Sequence, residues 1–338
     1  MDERDAAPQA PAGYRIRHRI GSGQTSHVYL AEHARFGRVA LKLPRPELEH
    51  RPVLRRMFES EVMITLRLSH PRVVRALEGH PTGPGAFLAL EVCGGGTLDQ
   101  LLLERGRLPL GEAVHLVEDV AEGLAYTHAH KVLHRDVKPA NVFLDDDGRA
   151  KLGDFGTGVF MAEDSGKRVG TAFYMAPEIF EGGACTPRSD IYALGVLAYE
   201  VITGERPFSG DSVDALMHAH LGGLLRDPRS LRPDMPVELA RAVRAAMARL
   251  PERRFERVVD FLEAVRGATP DGRVAPEPDA SAAPRKRSGR STRVPRDPST
   301  GDGETGAAEG RDEPERRDAR PRGPWWRRLF GDGGDDAS

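Results

Sequence analysis

Apolar and polar positions alternate with period two in three early segments. These are "YRIRHRIG" (14–21), "SHVYLAEH" (26–33) and "GRVALKL" (37–43), separated by turn formers, and each predicts a β-strand. The period then changes. In "VLRRMFESEVMITLRL" (53–68) Leu54, Met57, Phe58, Val62 and Leu66 recur at threes and fours, which predicts a helix with one buried stripe. "GAFLALEVC" (85–93) reads as strand again. From Thr97 onward helical spacing dominates, in 97–106, 110–131, 189–204, 211–223 and 236–250. A β-rich piece followed by a larger α-rich piece predicts an α+β chain of two lobes, about 14–92 and 97–267, joined near 91–96.

Composition sets the limits of this folded region. The stretch from Ala268 to Ser338 holds nine prolines, ten glycines and many charges with almost no aliphatic residues, so too little apolar surface is available to offset the entropy of ordering. A disordered tail over 268–338 and a disordered, polar leader over 1–13 are expected. The charges nearly cancel, 49 basic against 51 acidic, which gives no electrostatic case for nucleic acid or a membrane surface. Two cysteines, Cys93 and Cys185, are too few for a disulfide framework and suit a reducing compartment. The longest apolar stretch, "IYALGVLAYEVI", contains Glu200 and is too short to span a bilayer, and it reads as a core helix. The N-terminus carries no signal-peptide pattern, and the expectation is a soluble, cytoplasmic protein.

The chemistry lies in motifs that follow one another in order. "IGSGQTSHVYL" (20–30) begins a G-x-G-x-x-G phosphate cradle with Gly21 and Gly23 but places Ser26 at the third glycine position. "VALK" ends the third strand at Lys42. "HRDVKPAN" runs from His134 to Asn141, "DFG" from Asp154 to Gly156, and "GTAFYMAPE" ends at Glu178. In this order, and on this strand-then-helix pattern, the chain resembles the protein kinase family, specifically the eukaryotic-like serine/threonine kinases of bacteria, over about residues 14–267. The resemblance implies the bilobal protein-kinase fold, with ATP and Mg2+ as cosubstrate and metal.

It also implies roles. Lys42 would hold the α- and β-phosphates, oriented by a helix carboxylate, and Glu61 fits better than Glu59, which points off that face. Asp136 would orient or accept the proton of the substrate hydroxyl, and Lys138 would neutralise the γ-phosphate in the Ser/Thr-kinase manner. Asn141 and Asp154 would ligate Mg2+. Around the nucleotide would lie Ile20, Gly21, Ser22, Gly23, Gln24, Ser26 and Val28 of the lid, Ala40 of the roof, and Phe143 of the floor. Leu90 would be the gatekeeper, with the backbones of Glu91 and Cys93 bonding the adenine. Ser26 adds a Cβ and a hydroxyl that would face a phosphate oxygen or cap the turn, with a modest effect on lid stiffness. Cys93 reads as a small apolar hinge residue in a position that a front-pocket electrophile would reach. Thr171 would bond Asp136 and Lys138. Glu178 would pair with Arg254 in preference to Arg253, although Leu250 stands where an acidic residue usually precedes that proline. Asp190 would anchor the catalytic-loop backbone.

Control and partners are read from weaker signals. Arg135 beside Asp136 suggests a basic pocket neutralised by activation-segment phosphate, and Ser165 is the candidate acceptor, with Glu163 and Asp164 nearby. In the tail, "PRKRSGRSTRVPR" carries six basic residues, and reads as a solvated linker, an autophosphorylated patch or an electrostatic tether. "PWWRRLF" (324–330) groups Trp325, Trp326, Arg327 and Arg328 as a candidate docking motif. Protein substrates are expected. Two other readings remain, a pseudokinase scaffold and a small-molecule phosphotransferase of related fold. The first has to explain why Lys42, Asp136, Asn141 and Asp154 are all present, and the second why Lys138 and the "APE" segment are.

Overall fold

A computed structural model describes residues 9–156 and 170–269. The three alternating segments are β1 (Tyr14–Ser22), β2 (Ser26–His33) and β3 (Gly37–Pro44), paired as antiparallel neighbours. With β4 (Ala76–His80) and β5 (Phe87–Leu90) they form a five-stranded sheet in the order β1-β2-β3-β5-β4. Period two sorts the side chains between its faces. Val39, Leu41 and Leu43 join Tyr14, Ala31, Phe87 and Ala89 in one buried cluster. Leu88 and Leu90 lie on the opposite face, packed with Leu48, Leu54, Phe58 and Val62. Ala40 and Lys42 share that second face, in register with Leu90 and Leu88. Strand alternation alone therefore sends Lys42 inward.

The helix facing this sheet, α1 (Pro52–Thr65), starts on a proline and buries Leu54, Phe58, Glu61, Val62 and Thr65 along one stripe. Leu66, expected on that stripe, falls at the C-cap and is 42 % exposed, because the helix ends before it. Glu61 is thus buried by its place on the stripe, whereas Glu59 pairs with Arg55 one turn back.

The second lobe contains α2 (Leu98–Arg105), α3 (Leu110–Ala129), α4 (Pro177–Phe180), α5 (Pro187–Thr203), α6 (Val213–Gly222), α7 (Pro228–Leu231), α8 (Val237–Ala246) and α9 (Val258–Ala268). Its core centres on α3 and α5, against which α8 and α9 pack. α5 is the apolar segment noted in the sequence, and it is buried on nearly every side. Thr186 and Ser189 form its capping box, and Gly204, with φ 78°, ends it in the left-handed region. His220 of α6 ties three helices together. Its Nδ1 lies 2.7 Å from the Tyr192 hydroxyl of α5, and its ring meets those of Phe180 and Phe208. Arg232, 1 % exposed, donates from Nη1 to the carbonyls of Leu108 at 2.6 Å and Ile202 at 2.8 Å.

The second lobe also carries a three-stranded sheet of β6 (Gly96–Thr97), β7 (Val142–Leu144) and β8 (Ala150–Leu152), whose Val142, Leu144, Ala150 and Leu152 join its core. Strands of two or three residues show no period, and the sequence pattern does not reveal them. Gly95 crosses this sheet closely. Its N donates to Leu144 O at 2.9 Å, and a Cβ there would lie 2.8 Å from Leu144 Cβ and 2.9 Å from Asp145 O. Residues 9–13, read as part of a disordered leader, include a turn in which Tyr14 N donates to Pro11 O at 3.1 Å. Ser165, Glu163, Asp164, the basic patch and the Trp325–Trp326 motif lie outside the described residues. Among the described residues no helix is long and apolar enough to cross a membrane.

Candidate active site

Lys42 meets two carboxylates. Its Nζ contacts Glu61 Oε1 from α1 and lies 3.1 Å from Asp154 Oδ1, which follows β8. Burial works against the lysine's charge, but the Asp154 and Glu61 carboxylates outweigh it and hold the ammonium above its ordinary pKa. Burial, with the Asp154 charge added, pushes the Glu61 carboxyl up to about 7 against the pull of Lys42. Asp154 goes the other way. The surrounding protein opposes its ionisation, although its side chain remains 45 % exposed, but Lys42 holds it below the usual carboxylate value. One cation therefore faces two carboxylates, and the cluster carries an excess negative charge once Glu61 is ionised. Asp154 has φ 63° and Arg135 φ 67°, the left-handed region in which non-glycine residues are uncommon and which recurs at functional sites.

A second constellation forms around Asp136. Lys138 Nζ donates to Asp136 Oδ2 at 2.7 Å and to Thr171 Oγ1 at 3.0 Å, while Thr171 Oγ1 lies 3.3 Å from Asp136 Oδ1. Asn141 Nδ2 donates to Asp136 O at 2.8 Å and to Asp136 Oδ2 at 3.0 Å, which turns its amide oxygen away from Asp136. The loop carrying these groups is pinned from α5. Asp190 accepts from His134 N at 2.9 Å and from Arg135 N at 2.8 Å, and pairs with His128 Nε2 at 2.8 Å. His134 links the two constellations, accepting from Asp136 N at its Nδ1 and donating from Nε2 to Gly153 O at 3.0 Å. Sequence reasoning assigned no role to His128 or His134, and only the HRD motif itself hinted at the second.

Both constellations line one cleft of about 560 Å3, with Ser22, Gly23, Gln24, Thr25 and Ser26 of the lid across from them. Ile20, Gly21, Val28, Ala40, Leu90, Glu91, Cys93 and Phe143 do not line this cavity. Val28, Ala40, Leu90 and Phe143 are half-buried, and cross-strand pairing places Val28 opposite Lys42 and Ala40 opposite Leu90. Ser26 is 1 % exposed, and its Oγ finds no hydrogen-bond partner. The turn is closed by backbone instead, from Gly23 N to Ser26 O at 2.7 Å, so the hydroxyl does not cap it. Burial, followed by the Glu91 charge, pushes the Cys93 thiol up to about 12, which keeps it protonated and argues against ready attack on an electrophile. Glu91 also accepts from Lys151 Nζ and Arg75 N, each at 2.8 Å, a staple across the hinge that no motif marks.

Beyond the cleft, Arg254 binds Glu178 through two parallel bonds of 2.7 Å, while Arg253 takes no part and Leu250 is exposed. Burial opposes the Glu178 charge, but Arg254 more than compensates and lowers its pKa.

The donor set fits a hard divalent cation. Among the described residues no three His, Cys, Asp or Glu side chains gather as a self-sufficient metal cage. The amide oxygen of Asn141 and the carboxylate of Asp154 instead suit a cation that completes its shell with waters and phosphate oxygens, as Mg2+ does. Comparison with known proteins agrees with this chemistry. The model of the protein kinase domain matches residues 14–274. Serine/threonine-protein kinase PknH of Mycobacterium tuberculosis is 35% identical over 82% of this chain and 45% of its own length. PknL of the same organism is 36% identical over 80% of this chain and 70% of its own, and PknA is 32% identical over 80% and 64%. The chain spans about half the length of PknH. With that match over most of its length, this chain belongs to the protein kinase domain family.

Proposed function

We propose that this chain is a serine/threonine protein kinase that transfers the γ-phosphate of ATP, with Mg2+, to hydroxyls of protein substrates. The observation that carries this reading is the convergence in one cleft of the Lys42–Glu61–Asp154 cluster and the Asp136–Lys138–Thr171–Asn141 cluster. Lys42, already fixed by two carboxylates, offers its ammonium to phosphate oxygens. Val28, Ala40, Leu90 and Phe143 offer apolar surface to a base, and the backbones of Glu91 and Cys93 offer it polar partners. Asn141 and Asp154 would hold Mg2+, which when bound shields the phosphate charge and polarises the transferring phosphoryl group. Asp136 takes the proton of the acceptor hydroxyl as that oxygen bonds to phosphorus and the bond to the ADP oxygen breaks. Lys138 balances charge on the transferring group, and Thr171 keeps the aspartate and lysine in register. Lys138 beside Thr171, together with the names of the relatives, supports Ser/Thr acceptors. The use of only two cysteines suits action in the reducing cytoplasm, and Trp325, Trp326, Arg327 and Arg328 are proposed to dock a partner. Deletion after Gly323 should weaken capture of that partner, and unchanged capture would remove the motif from consideration.

Incubation of the full chain with labelled Mg·ATP and a generic protein substrate tests the main reading. Phosphoserine and phosphothreonine are expected, and Asp136→Asn should reduce labelling by about 10²-fold or more, the usual contribution of a positioned acid–base group. Labelling unchanged in that variant would assign the activity to a contaminant. Nucleotide binding without transfer would favour the scaffold reading.

A further inference from the structure

The lid is held from outside itself. Its turn joins β1 to β2, and Gly23 N to Ser26 O is the bond that closes it internally. Two more bonds come from Arg45, the residue after β3. Arg45 N donates to Thr25 O at 3.0 Å, and Arg45 Nη2 donates to Ser22 Oγ at 2.8 Å. Ser22 Oγ also lies 3.1 Å from His27 Nδ1. A hydroxyl that accepts from a guanidinium retains its own proton to donate, so the side chains form a directed chain from Arg45 through Ser22 to His27. Burial, then the Arg45 and Arg19 cations, lower the His27 pKa against the opposing Glu47, which favours the neutral ring that an accepting Nδ1 requires. Among the described residues Arg45 Nε is buried with no partner, and the guanidinium reaches the Ser22 hydroxyl through Nη2.

The geometry points to Arg45 as a positioning residue that latches the lid to the end of the strand carrying Lys42. Arg45 lies three residues past Lys42 and is absent from the cleft lining, so it acts on the nucleotide only through Ser22 and Thr25. The height of the lid and the position of the lysine are then set by one strand. This inference rests on the kinase reading above.

Kinetics of the full chain test it, with Arg45→Met, Ser22→Ala, the double variant and Arg45→Lys. Each of the first two should raise KM for ATP about 10- to 100-fold, the scale of one charge-assisted hydrogen bond, with the loss falling mainly in KM and not in kcat. The double variant should be no worse than the worse single one, because both remove the same contact. Arg45→Lys keeps a cationic donor on the same strand end and should reverse most of the KM rise of Arg45→Met. Thermal unfolding without nucleotide identifies a folding defect in Arg45→Met, in which case Ser22→Ala and Arg45→Lys decide. An unchanged KM in Arg45→Met, or fully additive losses in the double variant, would overturn the latch alone. A parent protein that bound no Mg·ATP would overturn the kinase reading and the latch with it.

Discussion

At the scale of single residues, the site is a problem of charge. Burial and the Asp154 charge raise the Glu61 pKa to about 7, so Glu61 is expected to stay ionised and paired with Lys42 at higher pH and to take up a proton as pH falls. Protonation removes the carboxylate that orients Lys42, so kcat/KM for ATP, which reports groups of the free protein, should fall as pH drops through about 7. Glu61→Gln should lower the plateau and abolish that acid limb in a pH–rate profile. A limb unchanged in the variant would assign it to another group. Most of these residues were legible in advance, because their motifs are local. Lys42, Asp136, Asn141 and Asp154 are each fixed by neighbours within a few positions. Glu61 was separable from Glu59 because the apolar stripe of α1 is itself readable. The long-range partners were not. Nothing near Arg45 announces Ser22, and nothing near Lys151 announces Glu91, since a contact made by folding two strands together leaves no spacing to detect.

At the scale of elements, the helices of the second lobe meet around polar groups as well as apolar ones. His220 sits where α4, α5 and α6 converge, and burial lowers its pKa to about 4 from an ordinary 6.5. The unfolded chain therefore takes up the proton first. Stability from this residue is full above about pH 6.5 and is lost as pH falls toward 4, by about 2 kcal/mol between pH 6.5 and pH 5. His220→Phe should lose about 1 kcal/mol at pH 7.5, for the missing bond to Tyr192, yet show a flatter decline of the urea midpoint toward pH 5. Parallel declines in the two proteins would place the acid-sensitive group elsewhere. The helices α1, α2, α3, α5, α6 and α8 and the strands β1 to β3 and β5 followed from periodicity, whereas α9 and β4 were not read from it and β6 to β8 were too short to show any. Leu66 shows a related failure, because a hydrophobic stripe continues in sequence after the helix that carries it has ended.

At the scale of the whole molecule, the cleft is assembled from both lobes. Lys42 and the lid come from the five-stranded sheet, while Asp136, Asn141 and Asp154 come from loops below it. A nucleotide held by both should stabilise them together. At about 100 times its dissociation constant, Mg·ATP adds about 2.7 kcal/mol, or roughly 5–10 °C in Tm for a domain of this size. Differential scanning fluorimetry should find that shift retained in Asp136→Asn, whose carboxylate is proposed to serve transfer, and largely lost in Asp154→Asn, whose carboxylate is proposed to serve the metal. Equal shifts in both variants would separate metal binding from Asp154. The strip that joins the lobes adds a consequence for inhibitor design. A side chain at Gly95 would drive into Leu144 Cβ and the Asp145 carbonyl, so this stretch tolerates no bulk. A compound resting against it would meet a surface that escape mutations cannot readily reshape. Resistance would instead have to arise at Leu90 or Cys93, where side chains already stand and exchanging one for another leaves the backbone path intact.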